Sequence, residues 1–87
     1  MMGSVKEIIR EQRRRLVQDF KGSIARADAC MKIAIHDMSQ EDVSHPMNAD
    51  SALRNVKRHI DEALEHREKF RMLGDLLIEL SELQDKS

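Results

Sequence analysis

From Ser4 to Met38 the chain runs without a proline and with a single glycine, Gly22. Apolar and small residues recur along it at steps of three and four, which is the spacing of one face of an α-helix. Starting at Leu16, steps of three and four reach Phe20, Ser23, Ala27, Cys30, Ala34 and Met38. The middle of that row is small, so a second helix is able to approach closely there. This stretch predicts a first helix over about 4–38, with Ser4 as its N-cap and Glu7 completing a capping box. Gly22 sits inside it at a cost of about 1 kcal/mol relative to alanine.

The segment 39–48 carries the only proline, Pro46, and no apolar period, so it reads as a connection. Proline disfavours helix at His45 and suits the first turn of whatever follows, with Ser44, Asn48 or Asp50 as possible caps. A second helix is expected over about 49–84. Its large apolar residues suggest a seam through Leu53, Val56, Ile60 and Ala63, then another through Leu73, Leu76, Leu80 and Leu83. On that reading the stripe rotates around the charged stretch 65–69. Gly74 allows either a drifting continuous helix or a break capped by Asp75; continuity is preferred because Leu73 and Leu76 to Ile78 flank the glycine without a polar loop.

Folding the chain about Val43 places residues whose numbers sum to about 86 opposite one another. Ala27 is then expected to face Ile60, Ala34 to face Leu53, and Leu16 to face Phe70. The charges agree with an antiparallel hairpin. Residues 1–38 carry 8 basic and 5 acidic side chains, and residues 39–87 carry 7 and 11. Lys6, Arg10, Arg13, Arg14 and Arg15 lie at the start of the first helix, while Asp75, Glu79, Glu82 and Asp85 lie at the end of the second. Each set opposes its own helix dipole, and antiparallel pairing offsets both.

With 87 residues, two phenylalanines and no tryptophan or tyrosine, the chain forms one domain with a small core. A domain of this size buries only about 60 to 65 per cent of the surface exposed by its unfolded form. Two helices also leave apolar surface wet, because Ile8 with Ile9, Leu16 with Val17 and Ala34 with Ile35 widen the stripe. The expected fold is therefore all-α: an antiparallel, coiled-coil-like helical hairpin that dimerises into a four-helix bundle.

Catalytic and ligand signatures are weak. Cys30, the only cysteine, sits on the small-residue row and reads as a buried, inert thiol. His59, Glu62 and His66 share a helix face, but the pattern lacks the repeated Glu-x-x-His of bundle metal sites, so a solvated face is expected and no metal or cofactor is assigned. No phosphate loop or nucleophile with a base is present, and no enzyme activity is expected. No apolar run reaches the roughly 20 residues of a membrane span, and no secretory leader is recognisable, so a cytoplasmic protein without membrane contact is expected.

The expected function is a non-enzymatic protein-protein interaction module: an adaptor, assembly chaperone or small regulatory inhibitor that acts through helix packing. Its expected partners are a second copy of the chain or a helical protein. The interface residues are Leu16, Phe20, Ala27, Cys30, Ala34, Leu53, Val56 and Ile60, with Leu76, Leu77, Leu80 and Leu83 engaging a second subunit or partner. The alternative is RNA or DNA binding through Arg10, Arg13, Arg14 and Arg15. A net charge of −1 and the scarcity of stacking aromatics count against it.

Overall fold

The computed structural model describes residues 2–39 and 46–85 as two helices, α1 (Met2–Ser39) and α2 (Pro46–Asp85). They pack against each other as an antiparallel hairpin with extents of 70 × 14 × 13 Å. Ser4 falls inside α1 rather than at its start, and α2 begins at Pro46, where the missing N–H of proline costs nothing. α2 runs unbroken through Gly74. The connecting residues 40–45, including Val43 at the expected tip and Ser44, lie outside the described residues.

The seam on α1 follows the small-residue row. Ile9, Ser23, Ala27 and Ala34 are buried, while Leu16, Phe20 and Cys30 are half-buried between them. Met38 departs from that row: it is exposed, and Asp37 is the more enclosed of the two. Small residues dominate on α2 as well. Ala49, Ala52, His59 and Ala63 are buried, and Val56, His66, Phe70, Leu73, Leu77, Leu80 and Gln84 are half-buried. These positions step by threes and fours without interruption from Ala49 to Gln84, so the seam does not rotate.

That continuity corrects the expected α2 seam. Leu53 and Ile60 lie one position beyond the buried Ala52 and His59, and they are 54% and 37% exposed. Alanine and serine at facing positions draw the helix axes together. The narrow gap leaves no volume for leucine or isoleucine, so the larger side chains move to the flank. The register agrees with the expected sum near 86. Arg26 meets Glu62, Lys6 donates to Gln84, and Arg13 lies against both Phe70 and Gly74.

The expected matching of basic and acidic ends takes a different form. Arg14 and Arg15 pair within α1 to Glu11 at 3.0 and 4.0 Å, and Arg13 turns onto a ring. Among the described residues, the ion pair that joins the two helices is Arg26 to Glu62 at 3.9 Å, near the middle of the hairpin. Pairing within one helix needs no register between helices, and exposed pairs of either kind contribute only about 0 to 1 kcal/mol.

Candidate interaction face

The seam divides the surface of the hairpin into two long edges with different chemistry. In an antiparallel pair, the positions that follow the seam on each helix share one edge, and those that precede it share the other. The first edge carries Arg10, Val17, Ile24, Met31 and Met38 from α1 and Leu53, Ile60, Arg67, Gly74 and Ser81 from α2. Leu64 and Ile78 stand just outside it, 60% and 59% exposed. The second edge is mixed: Asp19, Arg26 and Ile33 from α1 lie along Asn55, Glu62, Lys69, Leu76 and Leu83 from α2.

At the centre of the mixed edge, Glu62 Oε2 lies 3.2 Å from His59 Nδ1 and 3.9 Å from Arg26. The hydrogen bond with His59 lowers the pKa of Glu62 from its ordinary value. The charges of His59, Arg26 and Arg58 add to that shift, and partial desolvation opposes it. A carboxylate with a folded pKa below its unfolded value stabilises the fold above the unfolded pKa, near 4.3, and that contribution disappears as pH falls through the folded pKa. The melting temperature of Glu62→Gln is therefore expected to lie below that of the parent at neutral pH, with the gap closing in acid. A gap that stays constant or widens on acidification would show that Glu62 makes no pH-linked contribution.

His59 and His66 do not form the expected solvated face. His59 is 8% exposed, His66 is half-buried, and both lie on the α2 seam. Among the described residues, no three His, Cys, Asp or Glu side chains gather as a metal-binding group.

The apolar edge opens into a groove of about 650 Å³ in the half of the hairpin nearer the chain ends. Leu16, Val17, Phe20, Phe70, Leu77 and Ile78 supply its apolar walls; Gly74 and His66 complete the floor. The Arg13 guanidinium lies 4.0 Å from the centroid of the Phe70 ring, a cation–π contact. A Cβ at position 74 would stand 3.1 Å from an Arg13 terminal nitrogen, so the glycine makes room for this stacking. Arg13 Nε and His66 Nδ1 are buried without a hydrogen-bond partner among the described residues. An adjoining hollow of about 350 Å³ shares Arg13, Val17, Phe70 and Leu77 and adds Arg10 and Arg14.

Arginine thus rims an apolar floor. Arg10, Arg13, Arg14, Arg67 and Arg71 line these two hollows, against Asp75 as the carboxylate. Arg14 and Arg71 are engaged by Glu11 and Glu68, whereas Arg10 and Arg67 have no ion pair among the described residues. Arg15 stands apart, lining an outer depression with Glu11, Gln18 and Asp19. Further along the same face, Phe20, Ile24, Ala27, Met31 and Ile60 line a third hollow of about 430 Å³.

The residues expected to form the interface are distributed across these features. Leu16, Phe20, Ala27, Cys30, Ala34, Val56, Leu77 and Leu80 lie along the seam, Leu53 and Ile60 on the apolar edge, and Leu76 and Leu83 on the mixed edge. The cluster of four late leucines is therefore divided between the seam and an exposed edge. Ala52, His59 and His66 were missed as packing residues. The unbroken three-four spacing from Ala49 to Gln84 is the signal that would have found them.

Together these features define an all-α, amphipathic two-helix hairpin with one long apolar face, and no helix among the described residues is long and apolar enough to cross a membrane. Comparison with protein-family models, with curated proteins and with solved structures finds no match.

Proposed function

We propose that this hairpin is a non-enzymatic protein-interaction module, an adaptor, assembly chaperone or small regulatory inhibitor that works by helix packing. On this reading its apolar face is covered by a second copy, giving a four-helix bundle. The observation that carries the proposal is where the large apolar side chains lie. Among the described residues, five of the six buried apolar residues are alanines, while Ile24, Met31, Leu53, Ile60, Leu64 and Ile78 are exposed along one face and Ile33, Leu76 and Leu83 along the opposite edge. A contiguous patch of this kind marks an association surface, unlike single exposed apolar residues, which are ordinary.

The dimensions suit a stable pair. One whole side of a hairpin 70 Å long and 14 Å wide presents on the order of 1,000 Å² per copy, so a partner that covers most of that side reaches the roughly 800 Å² per partner of a standard interface. Unfolding of a dimer into two chains makes the melting temperature depend on protein concentration. The melting temperature is therefore expected to rise steadily over a hundredfold increase in concentration. A constant value over that range would refute self-association.

A further inference from the structure

We infer that the second copy packs head to tail, so that the connecting end of each hairpin lies beside the chain ends of the other; this rests on the dimeric reading above. Two symmetric arrangements bring apolar faces together. A two-fold axis parallel to the helices puts both connections at one end, and an axis perpendicular to them puts the connections at opposite ends.

Charge separates the two. The arginines rimming the groove and its adjoining hollow all lie in the half nearer the chain ends, with Asp75 the carboxylate lining them. A parallel pair gathers both arginine clusters at one end of the bundle around partly desolvated apolar walls, where repulsion between like charges is poorly screened. A head-to-tail pair sends Arg10, Arg13, Arg14 and Arg71 to opposite halves, while Arg67, next to the α2 midpoint, stays near its symmetry mate. It sets each cluster against the half of the face that carries Ile24, Met31, Leu53 and Ile60.

The contacts in that arrangement follow from the helix bounds. The midpoints of α1 and α2 fall near residues 20 and 66, and the perpendicular axis passes between them. Each α1 then runs antiparallel to the other α1, with residue numbers summing to about 41, and each α2 opposes the other α2 with sums near 131. Val17 meets Ile24 of the partner subunit, and Leu53 meets Ile78 of the partner subunit. Ile24 and Ile60 of each copy reach the level of the groove on the other. Asp28 comes opposite Arg13 and Arg14 of the partner subunit, which brings a carboxylate toward a guanidinium whose Nε is buried and unpaired. Asp75 comes opposite Lys57 of the partner subunit. The register thus brings apolar side chains together and sets Asp28 and Asp75 against basic groups, with Lys21 beside its own symmetry mate at the axis.

Pulsed electron resonance between spin labels tests the orientation. Ser51 and Glu82 are exposed, lie near opposite ends of α2 and stand away from the apolar edge. Each is changed to cysteine in turn in a Cys30→Ala background and labelled, with helix content and molar mass checked on the labelled protein. At 1.5 Å per residue, head-to-tail packing puts like labels about 45 Å apart at both positions. A parallel pair puts them within about 25 Å, the width of the bundle plus the label arms. Long distances at both sites are the expected result. Short distances in a protein of dimeric mass would overturn the orientation and leave the dimer standing. A monomeric mass with no intermolecular distance would overturn both, and would assign the arginine-rimmed face to a different protein, an acidic amphipathic helix being the chemistry that fits it.

Discussion

Replacing Ala27 with glutamate is expected to abolish the cooperative thermal unfolding of the hairpin. Ala27 is 1% exposed and follows Ser23, which is fully buried, on the α1 seam. The pair of helices is closest where such small residues face one another. A longer side chain there forces the axes apart, at about 1 to 3 kcal/mol for overpacking alone. The carboxylate adds a buried charge, at several kcal/mol more. Domains of this size have only about 4 to 13 kcal/mol of stability in total, and this one has few large buried side chains with which to absorb the loss. Ala29→Glu supplies the control, because Ala29 is exposed on the side of α1 away from the apolar edge. Calorimetry or circular dichroism on both variants decides the matter: Ala29→Glu should melt like the parent, and a parent-like melt from Ala27→Glu would mean that the seam does not run through position 27.

The second large effect is on association rather than folding. The double variant Ile24→Glu with Ile60→Glu is expected to remain a helical hairpin but to lose self-association. Both side chains are partly exposed in the single hairpin, at 40% and 37%, so the cost to its fold is modest. In the dimer both enter the covered face. Burying an isoleucine fully contributes about 1.5 to 3 kcal/mol; with some two-fifths of each side chain left to cover, the four in a dimer contribute roughly 2 to 5 kcal/mol, and charges taking their place add to the loss. The dissociation constant should rise by about a thousandfold, since each 1.4 kcal/mol is a factor of ten. Light scattering on the double variant at the concentration where the parent is dimeric is the measurement. An unchanged mass with unchanged helix content would show that the apolar edge is not the interface.

Much of the fold is legible in the sequence, and the places where it is not share a physical cause. The α1 seam is readable because Leu16, Phe20, Ala27, Cys30 and Ala34 carry the three-four spacing without a competing row. On α2, Leu53 and Ile60 compete with Ala52 and His59 for the seam. Hydrophobicity alone favours the large residues. Close packing decides otherwise: a seam built from alanine and serine brings the backbones too near for isoleucine, and the larger residues form the flank. The same displacement creates the apolar face, so the candidate site is a consequence of the feature that the α2 reading missed.

The charges show a similar limit. The segregation of Lys6 to Arg15 from Asp75 to Asp85 indicates an antiparallel hairpin, which is the observed arrangement, but it does not identify which groups touch. Arg14 and Arg15 find Glu11 within one helix, and Arg13 finds Phe70. Exposed charges take the nearest partner that requires least ordering of long side chains. His59, Glu62 and His66 look like a solvated row by composition, yet two of the three line the seam and the third holds the ion pair between helices. Histidine is apolar enough along its ring to pack beside alanine when one nitrogen finds a carboxylate, as His59 does with Glu62.

The central claim is that the apolar face of the hairpin is an interface and that a second copy covers it. Molar mass by light scattering across a dilution series, on protein purified without stripping whatever accompanies it, tests that claim most directly. The expected mass is twice the 10.1 kDa chain mass, falling toward the single value only on dilution. The chain mass alone at every concentration, or a mass that includes a different bound protein, would contradict it.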